Sequence, residues 1–342
     1  MQRCLQLAFL GTGQVAPNPM VGAALVHEGR IIGEGFHEQC GQAHAEVNAV
    51  QDAIRKGNGE LIRNSTLYVS LEPCAHHGKT PPCTDLIIAH HIPSVVIGCP
   101  DPFHQVNGKG ISLLQQAGTQ VIVGVMENEC LELNRRFFTF HQKQRPYVIL
   151  KWAETGNGMI GYATGSRLHI TNEITNRLVH KWRSEEAAIM VGTNTALMDD
   201  PQLTNRHWYG HSPHRLVLDL NLRLPKSLRL FDGSTQTLVF NNVKNEEPDD
   251  HRSFIKVDSG NDLLQQIMHS LHSRSIQSVL IEGGATLLRS FIDEGLWDEA
   301  RILKNENLMI ETGIPAPSLG KALLIKNDVS GSDRIGIYRN MS

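Results

Sequence analysis

Two successive α/β domains are predicted for this chain of 342 residues. The length exceeds what one ordinary hydrophobic core fills. Strand-like and helix-like segments alternate in two separate runs. One polar stretch, Gln142-Lys143-Gln144-Arg145-Pro146, separates the runs, which places the boundary between domains 1–144 and 145–342.

In the first run, Gly22 to His27 and Arg30 to Gly35 read as a hairpin around Glu28-Gly29. Ala45 to Lys56 has helical apolar spacing and stops at Gly57. Thr66 to Leu71 and Ser94 to Gly98 are β-rich, with helices expected at 83–91 and 109–117 and a strand at 119–125. One helix over 127–143 closes a three-layer α/β sandwich. The second run predicts strands at 147–152, 187–191, 215–219, 236–240 and 278–281, with helices at 172–184, 261–273 and 285–294. Residues 241–252 read as a solvated loop.

Composition narrows the function classes. A net charge of −3 argues against a nucleic-acid binder, which needs excess Lys and Arg to neutralise phosphates. No apolar run approaches the roughly 20 residues of a membrane span, and Met1 to Ala8 lacks the features of a signal peptide. Six cysteines over this length make no disulfide scaffold, so a cytoplasmic protein is expected.

The most specific chemistry lies between residues 44 and 83. His44-Ala45-Glu46 is followed, after a strand, by Pro73-Cys74 and then Cys83. One imidazole and two thiolates leave a fourth tetrahedral position open, as catalytic zinc requires. Glu46 beside that position suits a proton shuttle, the pattern of zinc deaminases. The usual signature has two residues between its cysteines; here eight intervene. Residues i and i+2 of a helix point about 200° apart, so His44 and Glu46 converge only if the helix begins there. Pro81-Pro82 suits the start of another helix at Cys83, placing thiols where the dipole favours thiolate. Alone, each residue has an ordinary reading: a surface histidine, a solvated glutamate, small buried cysteines. Cys4, Cys40, Cys99 and Cys130 lack ligand spacing and read as structural; His90, His91, His207, His211 and His214 read as surface residues.

Leu71-Glu72-Pro73-Cys74-Ala75-His76-His77-Gly78-Lys79-Thr80-Pro81-Pro82-Cys83 resembles the zinc segment of the bifunctional riboflavin-biosynthesis deaminase/reductase family. Pro17-Asn18-Pro19-Met20-Val21-Gly22, Asp101-Pro102 and Val106-Asn107-Gly108-Lys109-Gly110 are similar to other deaminase segments of that family. The resemblance covers nearly the whole chain and implies a cytidine-deaminase-like domain followed by a dihydrofolate-reductase-like domain. It implies a phosphorylated diaminopyrimidinone ribotide as substrate, with Zn(2+) and NADPH as cofactors. His44, Cys74 and Cys83 would hold zinc, with Glu46 as the catalytic proton carrier. Asn18 would fix the pyrimidine edge, His76 and Lys79 would face the ribose phosphate, and Asp101 would lie near the substrate. Phe103 stands where the family usually has Asn.

No G-x-G-x-x-G occurs in the second half; Glu282-Gly283-Gly284-Ala285-Thr286 instead follows a strand and opens a helix. By itself this is a tight strand–helix turn as readily as a phosphate site. Ile170-Thr171-Asn172, Arg183-Ser184, Val191-Gly192-Thr193-Asn194-Thr195, Asp199-Asp200-Pro201 and Leu203-Thr204-Asn205-Arg206 resemble the family's reductase segments. The resemblance implies that Ala153, Thr171, Thr195, Asp199, Gly283 and Gly284 bind NADPH. Arg183 and Arg206 would clamp the substrate phosphate, with Leu203 and Glu282 bordering the substrate. Asn157 replaces a usual carboxylate, His169 a usual Trp, and Arg167 a small polar residue.

Three other readings compete with a bifunctional enzyme: a deaminase with a weakened reductase, an RNA-editing deaminase, and a non-catalytic zinc module. RNA editing would want a basic, aromatic-rich surface; a binding module would want four closed ligands and no Glu46. A homo-oligomer, dimer or tetramer, is expected from the family.

Overall fold

The computed structural model describes all residues except 77–80, 103–107, 164–167, 250, 261 and 342. The chain divides into two compact units, Met1–Gln144 and Arg145–Ser342. Among the described residues no helix is long and apolar enough to cross a membrane.

The first unit contains α1 (Gln2–Phe9), β1 (Gly22–His27), β2 (Arg30–Phe36), α2 (Ala45–Arg55), β3 (Thr66–Leu71), α3 (Cys83–Ala89), β4 (Ser94–Cys99), α4 (Lys109–Gln116), β5 (Gln120–Val123), α5 (Glu127–Leu133) and α6 (Arg135–Lys143). Its sheet runs β2-β1-β3-β4-β5, with β3, β4 and β5 parallel and the hairpin antiparallel. Strand alternation sorts the side chains into two cores. Ala23, Leu25, Leu67 and Val69 meet Ala49 and Ala53 of α2, Ile87 of α3 and Leu114 of α4. Leu71 and Cys99 meet Cys130 of α5, Phe137 and Phe138 of α6, and Leu5 of α1. Helices on both faces make three layers. Glycines set the closest approach: a Cβ at Gly33 would lie 2.3 Å from the Ala49 carbonyl, and one at Gly22 2.0 Å from that of Cys4.

The helix expected over 127–143 is two helices. They meet at Asn134, with φ −102° and ψ 21°, whose buried amide accepts from the Met20 N–H and donates to the Met20 carbonyl, both at 2.8 Å. That pairing ties the junction of the two helices to the segment before β1.

The second unit contains β6 (Tyr147–Thr155), β7 (Met159–Gly161), α7 (Glu173–Glu185), β8 (Ala188–Gly192), α8 (Thr193–Asp199), β9 (His214–Leu218), β10 (Thr237–Asn241), β11 (Glu246–Asp249), β12 (Arg252–Lys256), α9 (Leu263–Ser273), β13 (Ser278–Ile281), α10 (Ala285–Asp293), β14 (Glu299–Asn305), β15 (Ile314–Pro315), β16 (Ala322–Ser330) and β17 (Asp333–Asn340). Ten strands form one sheet, β11-β12-β10-β9-β8-β13-β6-β14-β17-β16. It is parallel from β12 to β14 and antiparallel at its edges. Val148, Leu150 and Trp152 of β6 pack on the face that holds α9 and α10, while Tyr147 and Ile149 enter the other core. The segment read as a loop over 241–252 contains β11, an edge strand paired with β12. Its sequence, Glu246-Glu247-Pro248-Asp249, carries little strand propensity.

Candidate active sites

The first site assembles at the ends of β3, α2 and α3. His44 is extended, with φ −74° and ψ 164°, and the helical turns start at Ala45. That break in geometry puts His44 and Glu46 on one side of the helix start. Cys83 is the first residue of α3, after Pro82. Its N–H donates to the Cys74 sulfur at 3.3 Å, so both thiols sit at the same helix start. His44 Nδ1 lies 3.2 Å from Cys83 Sγ and 3.5 Å from Cys74 Sγ. The three ligand atoms lie within 4.8 Å of one another. One ring nitrogen and two thiols so close are a donor set that fits zinc.

Electrostatics agree with that chemistry. A hydrogen bond from Cys83 holds the Cys74 thiol well below its usual range, and His44 reinforces this. His44 is pushed up, chiefly by its hydrogen bond with Cys74. Glu46 is buried, 3% exposed, and burial raises its carboxyl above the usual carboxylate range, with Cys74 adding to the effect. A buried carboxyl beside the ligand cluster is placed to exchange a proton with a group bound there.

Asn18 is oriented by a histidine that local sequence patterns do not flag. The Ala43 carbonyl, 3.0 Å from His37 Nδ1, can only accept, so Nδ1 carries the proton. Nε2 then accepts from Asn18 Nδ2 at 3.0 Å. This assigns the Asn18 amide nitrogen to His37.

Asp101 is buried, and its N–H donates to Glu72 Oε2 at 3.2 Å. Glu72 also accepts from Gly108, Gly110 and Ile111 N–H groups, at 3.0, 3.0 and 3.3 Å. A buried carboxylate two residues before Cys74 thereby ties Asp101 and the start of α4 to the end of β3. Gly110 must lack a side chain, because a Cβ there would lie 2.2 Å from the Pro73 carbonyl. His76 is exposed. Lys79 and Phe103 lie outside the described residues.

In the second unit a cavity of about 1110 Å³ opens around the ends of β6, β8, β9 and β13. Its size exceeds the roughly 300–1,000 Å³ of ordinary small-molecule sites, which suits a dinucleotide. Ala153, Thr171, Thr195, Asp199, Gly283 and Gly284 all line it, as do Arg183, Leu203 and Glu282. Gly284, with φ +49°, turns the chain from β13 into α10 in a conformation side chains disfavour, and a Cβ there would lie 3.1 Å from Thr195 Oγ1.

Arg183 is not free in this cavity. Its Nε and Nη2 donate to the two Glu282 oxygens at 2.9 and 2.7 Å, and its Nη1 to the Thr204 carbonyl at 3.2 Å. Lys151, which sequence reasoning overlooked, stands 3.7 Å from Glu282 Oε2. Against the cost of burial, Arg183 and Lys151 hold the Glu282 carboxyl down at about 2. Arg206 is outside the cavity lining; its main-chain N–H donates to His180 Nδ1 at 2.9 Å and its guanidinium to Thr204 Oγ1 at 2.9 Å.

Asn157 has a physical reason to differ from a carboxylate. Its Oδ1 accepts from Thr155 Oγ1 at 2.7 Å, while its Nδ2 donates to the Ile310 carbonyl at 2.7 Å, which Asp could not do. His169 is exposed and lines the cavity; Arg167 lies outside the described residues.

Residues 1–99 match the family model of the cytidine and deoxycytidylate deaminase zinc-binding region, and residues 146–305 that of the RibD C-terminal domain. The chain is 39% identical over 325 residues to the riboflavin biosynthesis protein RibD of Aquifex aeolicus, covering 94% of this chain and 89% of the relative. It is 35% identical over 316 residues to RibD of Escherichia coli, covering 87% and 84%. The solved diaminohydroxyphosphoribosylaminopyrimidine deaminase/5-amino-6-(5-phosphoribosylamino)uracil reductase of Thermotoga maritima superposes with TM-score 0.90 at 37% identity, over 99% of this chain and 97% of that one.

Fold and sites together define a two-domain enzyme in which a zinc-binding deaminase is joined to a reductase. The chain belongs to the RibD family: it is a bifunctional enzyme of riboflavin biosynthesis, a hydrolase in its deaminase half and an oxidoreductase in its reductase half.

Proposed function

We propose that residues 1–144 deaminate a diaminopyrimidinone ribosylamino 5-phosphate and that residues 145–342 reduce the ribosyl chain of the product to ribityl. The observation that carries this reading is the convergence of His44, Cys74 and Cys83 with the buried Glu46 beside them. Those three residues hold zinc, which when bound supplies a water of lowered pKa at its fourth position. Glu46 accepts a proton and returns it to the departing amine. Asn18, oriented by His37, fixes the pyrimidine edge, and Asp101, anchored by Glu72, borders the substrate. His76 and Lys79 face its phosphate.

The reductase half uses NADPH. Ala153, Thr171, Thr195 and Asp199 receive the nicotinamide portion, and Gly283 and Gly284 let main-chain N–H groups approach the diphosphate. Because the cofactor carries the hydride, these residues mainly orient it against the ribosyl carbon. Arg183, Leu203 and Glu282 contact the ribotide at the cavity wall; Arg206, outside that wall and bonded to Thr204, reaches its phosphate only by swinging inward on binding. Arg183 must exchange part of its pairing with Glu282 for the substrate phosphate, so substrate binding reorganises that ion pair.

The enzyme works in the cytoplasm, on a small molecule and without nucleic acid, and assembles as a homo-oligomer. The edge strand β16 supports assembly: Leu323, Leu324, Ile325 and Val329 are all exposed on it. The test is incubation of the purified enzyme with the diaminopyrimidinone ribotide, with and without NADPH, followed by mass analysis. We expect one deamination without NADPH and two added hydrogens when it is present. An unchanged ribotide in both reactions would refute the assignment.

A further inference from the structure

NADPH differs from NADH by a phosphate ester on the adenosine 2′-hydroxyl, and a site that prefers it needs a cation for that group. Among the described residues the cavity has three lysine or arginine side chains in its wall: Lys151, Arg183 and Arg223. Lys151 and Arg183 are both committed to Glu282. Arg223 is exposed and has no ion-pair partner among the described residues.

Arg223 is held in place by a built turn. β8 and β9 are parallel, with Gly192 opposite Leu218, so the chain leaves β9 at the same end of the sheet where β8 gives way to Thr193. Asp219, 1% exposed, organises that exit: its carboxylate accepts from the Leu224 N–H at 2.9 Å, while the Thr193 hydroxyl beside it donates to the Leu218 carbonyl at 2.7 Å. Its carbonyl accepts from the Leu222 N–H at 3.1 Å. Leu222, at φ +51°, and Leu224 pack against the core, one on each side of Arg223. Their anchoring fixes the backbone of Arg223 at the cavity wall, while its guanidinium has no partner among the described residues.

The one carboxylate on this turn, Asp219, is 1% exposed, and its Oδ2 accepts from the Leu224 N–H inside the turn. A carboxylate free to accept from a ribose 2′-hydroxyl is the usual device for preferring NADH; this turn offers a guanidinium instead, whose fork suits a phosphate monoester. We propose that Arg223, on the turn after β9, reads the adenosine 2′-phosphate of NADPH and sets the reductase's preference for it over NADH. This deepens the reductase reading and rests on it.

The test is equilibrium titration of the full chain, wild type and Arg223→Gln, with NADPH, NADH and adenosine 2′,5′-bisphosphate, following tryptophan fluorescence or heat. A charge-assisted contact of this kind is worth roughly 10- to 100-fold in affinity. We expect wild type to prefer NADPH, and Arg223→Gln to lose about that factor for NADPH and the bisphosphate while NADH affinity moves far less. Arg223→Lys should recover part of the loss, and salt should narrow the wild-type preference. An unchanged NADPH-to-NADH ratio in Arg223→Gln, with wild type preferring NADPH, would overturn the proposal alone. Failure of wild type to bind either dinucleotide would overturn the reductase reading and the proposal with it.

Discussion

The deaminase centre and the reductase cavity are built on different plans. The donors of the first come from one 40-residue stretch, His44 to Cys83, and meet at two helix starts. The wall of the second is drawn from many separate segments between residues 151 and 314. A centre whose chemistry depends on a few atoms at fixed separations leaves a compact mark in the chain. A binding cavity spreads its requirements over many strand ends, each of which tolerates change.

The contrast predicts that damage stays in the half that receives it. The largest effect is expected from Cys74→Ser, which removes one donor of three: bound zinc and deamination should be lost, while reduction of pre-deaminated ribotide continues. Metal analysis beside the two assays checks this, and concurrent loss of both activities would break the comparison.

Glu282→Ala should come next, because it leaves Arg183 and Lys151 without their shared carboxylate. Removing one member of a buried ion cluster costs about 3–5 kcal/mol. All four tryptophans, 152, 182, 208 and 297, lie in the second unit, so their fluorescence in a urea titration reports that unit. An unmoved midpoint would mean the cluster is dispensable.

Glu72→Ala is the counterpart in the first unit. Four main-chain N–H groups would lose their acceptor, at a cost of about 3 kcal/mol, while the tryptophan transition stays put. Glu72→Gln, which keeps one oxygen, should cost less. Faster amide exchange at Gly110 and Ile111 is the direct readout.

The smallest effect is a pH dependence in the second unit. Burial lowers His180 to about 4, with Arg183, Arg206 and His207 adding to the shift and Glu282 opposing it. A histidine depressed in the folded state binds fewer protons than the unfolded chain between its ordinary value near 6.5 and about 4. Its contribution is complete above pH 6.5 and declines as pH falls through that window. The stability difference between wild type and His180→Gln should therefore shrink on acidification; a difference independent of pH would contradict the assignment.

Much of the fold was legible because most strands are short, strongly apolar and bounded by turn residues. Thr66–Leu71 and Ser278–Ile281 appear with the limits read from sequence. What escaped detection had physical causes. The break at Asn134 falls within a well-patterned run, and the Met20 groups its side chain binds lie more than a hundred positions away, which no local window records. β16 is mostly exposed along its length, so burial imposes no alternation on it. α8 follows β8 without a separating loop and has one buried residue, Ala196. In the sites, the metal donors were visible because their chemistry is rare and their neighbours restrictive. His37, Glu72 and Lys151 were not, since each acts through a partner distant in sequence.

The most direct test is Glu46→Gln in the full-length enzyme, with zinc content and both activities measured on one preparation. The account predicts that zinc stays bound, deamination falls by roughly 10²- to 10⁴-fold, and NADPH oxidation by the pre-deaminated ribotide is unchanged. Wild-type deamination by this variant, or wild-type enzyme that carries no transition metal and gains no activity when zinc is added, would contradict it.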